Sequence, residues 1–244
     1  MRIARAFPLA LVVAMLITGA PPAAADDDAL LRKALSSFYR AAETLRFDVV
    51  PDLYEGGYAR ISVYAKKARL AGSGLLVDEV WMRLVGVTLS VPHLKQGVFR
   101  VESVRDSAIH LRVSLRSLEQ YFIAGNPWDD IRLWSDGEYL FARGTVSLNG
   151  LPTRVEMKGF FAVGGTQALY FYVENLRVNW LPLPEVVLRN MERQYNPIVD
   201  QQTWPVTFKL RSVRLSKDDL VVSSQHDPRV CSFCAGGDPP VVAP

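Results

Sequence analysis

Between Glu138 and Pro205 the chain alternates apolar and polar residues in three successive runs. The apolar members are Leu140, Ala142, Gly144, Val146 and Leu148, then Val155, Met157, Gly159, Phe161 and Val163, then Leu169, Phe171 and Val173. Arg143, Thr145, Ser147, Arg154, Glu156, Lys158 and Glu174 fall on the other parity. A period of two marks strands with one buried and one wet face. Asn149-Gly150 and Gly164-Gly165 separate the runs, and both pairs suit tight hairpin turns. An antiparallel meander follows. After it, Pro184 suits a first helical position. Val187, Leu188, Met191 and Tyr195 recur on one face until Asn196-Pro197 stops the helix. A one-sided sheet followed by such a helix is expected to produce an elongated cavity.

The N-terminal segment has a different character. Arg2 and Arg5 precede an apolar run from Phe7 to Ile17, and small residues lead to Ala23-Ala24-Ala25. This is the pattern of a secretory signal peptide over residues 1–25, cut near Ala25, with an apolar run too short to span a bilayer. No cysteine stands at the cut, which argues against a lipoprotein. Losing the leader removes two arginines and no acid, so the formal charge of +3 falls by two. A balance so near neutral offers no whole-protein argument for nucleic acid. With 49% hydrophobic and 22% charged residues the chain has the composition of a globular protein. One domain is expected over residues 28–224, followed by a disordered tail over 225–244.

Leu31, Leu35, Phe38, Ala42 and Leu45 recur at three and four residues, which predicts a long first helix over Ala29–Leu45 with Asp28 as its N-cap. Its basic-leaning polar side suits a lipid surface, but its spacing favours core packing with a solvated face. Ala59, Ile61, Val63 and Ala65 then alternate as a strand ending in the cluster Lys66-Lys67-Ala68-Arg69. Gly72-Ser73-Gly74 turns the chain. Val80, Met82 and Leu84 share one parity and Val87 and Leu89 the other, so a bulge or bend is expected at Gly86. Ile109, Leu111 and Val113 form another strand. Ser117-Leu118-Glu119-Gln120 has capping-box spacing and opens a short helix to Ile123. Val206, Phe208 and Leu210 alternate in a further strand after Trp204-Pro205.

No constellation for catalysis is legible. His93 follows a proline, His110 stands on the polar side of a strand, and His226 falls in the tail. None has a serine elbow, a metal-ligand partner at helical spacing or a cysteine beside it. Asp129-Asp130 and Asp218-Asp219 read as solvated turn acids. No phosphate loop follows a strand, and no metal or cofactor is expected. Cys231 and Cys234 are the only cysteines, and behind a secretory leader they read as a local disulfide or an unpaired tail motif.

Met82, Met157 and Met191 with Phe99, Phe161, Phe171 and Phe208 all turn inward on this register. Thioethers and aromatics of this kind fill a core or line an adaptable apolar pocket, and composition does not separate the two. Gly86-Val87-Thr88-Leu89-Ser90, the Ser114–Tyr121 segment, Gly144-Thr145-Val146-Ser147-Leu148-Asn149-Gly150, and Leu181-Pro182-Leu183-Pro184 with Asn196-Pro197-Ile198 and Trp204-Pro205-Val206 resemble the LmeA-like phospholipid-binding family of bacterial envelope proteins. The resemblance runs from about Leu30 to Ser224 and leaves the cysteine-bearing tail outside. It implies an α+β fold related to the tubular lipid-binding proteins, with a curved antiparallel sheet wrapped on a long N-terminal helix and a second helix in the C-terminal half. It also implies a secreted, non-enzymatic protein of the periplasm or cell envelope that binds lipid in an apolar groove. It assigns no individual ligand residue.

On that reading the partner is a phospholipid or other acyl-chain lipid, with a membrane surface as a further partner and no nucleic acid. Leu35, Phe38, Met82, Leu84, Phe99, Met157, Phe161, Phe171, Val187, Met191 and Phe208 are the expected apolar lining. Lys66, Lys67 and Arg69 are the expected head-group contacts. The competing expectation is a non-enzymatic envelope scaffold with a fully packed core that recognises another protein. A hydrolase is the third, with His110 as its best candidate.

Overall fold

The computed structural model describes residues 23–71, 74–125, 128–148, 150–165, 167–201, 204–229 and 231–234. The Gly72-Ser73 turn, Asn126-Pro127, Asn149 and most of the leader lie outside them. The first helix, α1 (Ala23–Phe38), leads to β1 (Tyr39–Arg40), β2 (Thr44–Pro51), β3 (Gly57–Leu70) and β4 (Leu76–Leu89). A short α2 (Val91–Lys95) connects to β5 (Val101–Ser114) and α3 (Leu115–Gly125). The expected meander is β6 (Trp128–Ser135), β7 (Leu140–Leu148), β8 (Leu151–Gly164) and β9 (Ala168–Val178). Then come β10 (Leu181–Pro182), α4 (Glu185–Tyr195), β11 (Val199–Asp200), β12 (Ser212–Leu215) and β13 (Asp219–Ser223).

The coarse α+β class holds, but the strands form two sheets where the sequence predicts one. The first runs β1-β3-β4-β5-β13-β12, with β2 beside β3, and the second runs β10-β9-β8-β7-β6, with β11 beside β9. Neighbours are antiparallel throughout. Both sheets turn their aliphatic parity into one contiguous core. Ile61, Val63, Met82, Leu84 and Ile109 come from the first sheet, Ile131, Leu133, Leu140 and Leu169 from the second, and Leu31, Ala34 and Leu35 from α1. At Gly86 the backbone adopts φ +60°, so Leu84 and Val87 are both buried despite their opposite parity.

The first helix both begins and ends earlier than its periodicity suggests, with Asp28 inside it instead of capping it. It ends at Phe38, Ala41 turns the chain with φ +51°, and Leu45, Phe47 and Val49 lie on β2 opposite Ala65, Val63 and Ile61. Ala42 and Leu45 satisfy helical spacing, yet Leu45 also begins a run of period two, and the open edge of β3 selects the strand. α3 begins one turn earlier than Ser117. Ser114 is the residue before the helix, and its Oγ accepts the Ser117 amide at 3.2 Å. Pro184 likewise precedes α4 as its N-cap instead of standing first within it. Val206, Phe208 and Leu210 are buried in alternation as expected, but no strand forms there. The Gln201 side chain satisfies both the amide and the carbonyl of Phe208. Of the expected tail, residues 225–229 and 231–234 are described and Phe233 is 1% exposed, while 235–244 lie outside the described residues.

One buried carboxylate ties these parts together. Asp78 on β4 is 5% exposed and accepts Lys67 Nζ, the Ser114 amide at 2.6 Å and the Ser117 hydroxyl at 3.1 Å. Burial pushes its carboxyl upward, but the hydrogen bonds from Lys67 and Ser114 outweigh that and hold it below the ordinary carboxylate value. A depressed folded-state value means that the stabilisation is present above the unfolded value and fades as pH falls through the folded one. Asp78→Asn is expected to cost about 2 kcal/mol at neutral pH. In urea titrations the difference from wild type should shrink below about pH 4. Gly159 offers a second check, because a Cβ there meets the Tyr172 carbonyl oxygen and the Phe171 ring. Gly159→Ala should lower Tm by about 4–8 °C in a thermal melt.

Candidate functional site

The inner face of the second sheet is spent on the core, and its outer face carries the unusual chemistry. Register sets Trp134 opposite Phe141, Phe160 opposite Tyr172 and Ala162 opposite Tyr170. Trp134 and Phe141 stack with ring centres 5.6 Å apart, Phe160 and Tyr172 at 5.4 Å, and Tyr170 and Tyr172 at 6.2 Å. Tyr139 meets Phe160 edge-on at 6.3 Å. Together they make an aromatic ribbon across the sheet, with Trp134 43% and Phe160 39% exposed. Exposed aromatics gathered in this way mark an interaction surface more than they mark a core.

Cations interleave with the rings. Lys158 Nζ lies 3.6 Å above Tyr139 and pairs with Glu174, and that hydrogen bond holds its ammonium above the ordinary lysine value. The Arg143 guanidinium stands 5.8 Å from the Trp134 ring. Arg132, Arg143, Glu156 and Arg177 follow one another across β6, β7, β8 and β9 in a single row. Arg143 and Arg154 both bind Glu156 at 3.1 Å, so this row keeps a positive surplus.

At one side the ribbon runs into a groove of about 460 Å³ against α4. Phe160, Tyr172, Val173, Leu183 and Leu188 line it, and Glu174, Glu185, Arg189 and Glu192 form an ionic rim. α4 takes this place by acting as a strand partner. Glu192 Oε1 accepts the Val173 amide at 2.8 Å, and the Asn196 amide group both accepts from and donates to Phe171 at 2.8 Å. These bonds cover the edge of β9 between its short partners β10 and β11, an edge that would otherwise invite another chain. Arg189 bridges Glu185 at 3.1 Å and Glu192 at 3.3 Å. Hydrogen bonds to these two carboxylates raise the arginine above its ordinary value.

Beyond the groove the apolar surface continues. The β9–β10 turn places Asn179 at φ +47° and Trp180 at φ +71°, with Trp180 63% and Leu181 70% exposed. Arg154 sits 4.1 Å over the Trp180 ring. Val186 on α4 is 71% exposed and Leu151, at the same end of the sheet as Trp180, is 70% exposed. Among the described residues no helix is long and apolar enough to cross a membrane.

The residues singled out from sequence are distributed differently. Leu35, Met82, Leu84, Phe99 and Phe208 are buried in the contiguous core, and Phe38, Met157, Phe161 and Phe171 pack half-buried against it. These nine therefore share one contiguous hydrophobic cluster. Ala34, Ala65 and Ala68 are fully buried in the same cluster. Val187 lies on α4, apart from the others, and the side chain of Met191 lies outside the described residues. The expected head-group cations are engaged within the fold. Lys66 faces Glu43 at 3.8 Å, Lys67 holds Asp78, and Arg69 donates to the Gly74 carbonyl at 3.2 Å. Cys231 and Cys234 form a disulfide.

His110 meets a serine after all. Its Nδ1 is 3.2 Å from Ser223 Oγ, and burial lowers its pKa below the ordinary histidine value. Ser223 is 0% exposed and also accepts the Gln225 amide at 3.1 Å. The pair braces β5 against β13 from within the fold. Among the described residues no group of histidine, cysteine and acidic side chains is arranged to hold a metal.

Parity alone does not reveal the ribbon, because positions opposite an apolar set read as wet. The available signal was that Trp134, Phe141, Phe160, Tyr170 and Tyr172 all occupy that wet parity. Asn196→Ala should unpair both backbone groups of Phe171 at a cost of about 1–2 kcal/mol. Hydrogen exchange at the Phe171 amide is expected to accelerate accordingly, while exchange in β4 stays slow. Compared with family models, curated proteins and solved structures, the chain matches none.

Proposed function

We propose that this is a non-enzymatic envelope protein that binds a phospholipid or another acyl-chain lipid at its surface. Its hydrocarbon would lie in the groove beside α4, and the aromatic face of the second sheet would meet the membrane. The observation that carries this reading is the exposed aromatic ribbon running into an apolar-floored groove with an ionic rim. About 460 Å³ is within the range of small-ligand sites. A floor of Phe160, Tyr172, Leu183 and Leu188 under charged side chains matches an amphiphile's two ends. Trp and Tyr prefer the boundary between hydrocarbon and water, and the arginine row suits anionic head groups. Each methylene removed from water contributes about 0.8 kcal/mol, so part of one chain is enough for useful affinity.

The resemblance to the LmeA-like family leans the same way on ligand class, and the leader-like N-terminus supports an envelope location. The tubular arrangement which that resemblance implies would hold lipid inside the protein. The proposal keeps the ligand and moves it outside. One observation favours a second reading. The packed interior is what a protein-recognition scaffold requires, and the same aromatic face would then meet a protein partner.

Purified protein should yield lipid on solvent extraction and mass spectrometry, and should float with vesicles. Trp134→Ala with Phe160→Ser, both at exposed sites, is expected to leave the fold intact and weaken vesicle binding at least about tenfold. Protein that carries no lipid and ignores vesicles, yet captures another protein through this face, would establish the scaffold reading instead.

A further inference from the structure

The outer face of the first sheet holds a second, chemically different concavity. It is a polar cleft of about 180 Å³ lined by Arg83, Lys209, Arg211, Asp106, Ser107 and His226, among others. Arg83 projects outward from β4 opposite Ala108 of β5. Lys209 and Arg211 alternate with the buried Phe208 and Leu210, so both leave the core on the same side.

The charges in this cleft are unbalanced. Among the described residues Arg83, Lys209 and Arg211 form no ion pair, although eleven other cation–carboxylate contacts occur in the fold. Asp106 is the single carboxylate in the lining. Arg211 Nη1 lies 2.8 Å from His226 Nε2, and since arginine only donates, that nitrogen accepts and brings no proton of its own. The Ser107 hydroxyl is spent on the Thr207 carbonyl at 2.8 Å.

Arg83 is also held in a particular way. Its guanidinium stands 5.4 Å from the ring of Phe233, which is buried within the Cys231–Cys234 loop. A cation over a ring face is oriented without using its N–H donors. Its Nε is buried and has no acceptor within the fold, so the terminal nitrogens are the ones left to face the cleft.

We infer that this cleft binds a phosphate-type oxyanion. Three guanidinium and ammonium groups around one small space suit a tetrahedral anion with several acceptor oxygens. Its volume is below that of sites for drug-sized ligands and suits a single such group. The same chemistry is offered by a lipid head group, a soluble phosphate ester and inorganic phosphate. This inference does not rest on the lipid groove, which lies on the other sheet.

Calorimetric titration of the full chain with inorganic phosphate and with glycerol 3-phosphate tests it. Saturable binding is expected, weakened at least about tenfold by Lys209→Ala with Arg211→Ala. Both side chains are exposed, so the variant should fold, and circular dichroism checks that it does. Asp106→Asn removes the opposing charge and should tighten binding, whereas Arg116→Ala on α3 should leave it unchanged. Phosphatidylcholine vesicles with and without phosphatidylglycerol identify the source. If the head group is the ligand, the double variant loses the phosphatidylglycerol-dependent part and free phosphate competes with it. If only the soluble phosphates bind, the ligand is a soluble ester or the free ion. Absence of saturable binding in every arm, or binding indifferent to Lys209 and Arg211, overturns the inference.

Discussion

A strand has two faces, and in this protein the inner faces of both sheets are consumed by one another. Aliphatic side chains from β3, β4, β5, β6, β7 and α1 meet in one contiguous core. Interiors packed in this way resist any occupant, because opening a space forfeits dispersion contacts on every wall. Chemistry is therefore displaced outward, to the backs of the sheets and to their edges. Every candidate feature of the molecule lies there.

The edges show how side chains stand in for missing strands. Glu192 and Asn196 occupy the edge of β9, and Glu119 accepts the Leu133 amide on β6 at 2.7 Å. Gln201 does the same for Phe208. The contacts span seven to 25 positions in sequence, and each helps decide where a helix or extended segment settles. α4 sits beside the aromatic ribbon because two of its polar residues complete a ladder there. The groove is a by-product of that docking.

Much of the architecture was legible from pattern. The meander was readable because period two in Leu140–Leu148 and Val155–Val163 has no helical counterpart, and the parity change across Gly86 marked the bend. Other features were ambiguous for physical reasons. Ala42 and Leu45 fit a helix stripe, and only the neighbouring edge of β3 decides against it. Ser114 and Ser117 are three residues apart and both suit a helix cap, so the buried Asp78 makes the choice. Phe233 lies in a stretch rich in glycine and proline that reads as unstructured, but it is anchored by a ring contact with Arg83, 150 positions upstream in the chain. The division between packed core and open pocket was not legible either. Met82, Phe99 and Phe208 are the same residues in both arrangements, and only the closeness of the opposing layer separates them.

The β9–β10 hairpin carries a cost that its surroundings do not require. Glycine or asparagine would hold the left-handed backbone at position 180 with little penalty, whereas a bulky indole there raises the energy of the turn by about 1 kcal/mol or more. That ring is mostly in water and contributes little to the interior. A smaller residue at this corner would therefore make a more robust molecule. Among the ring contacts of the described residues the indole meets only the guanidinium of Arg154, at 4.1 Å, and the rest of its surface is left to solvent.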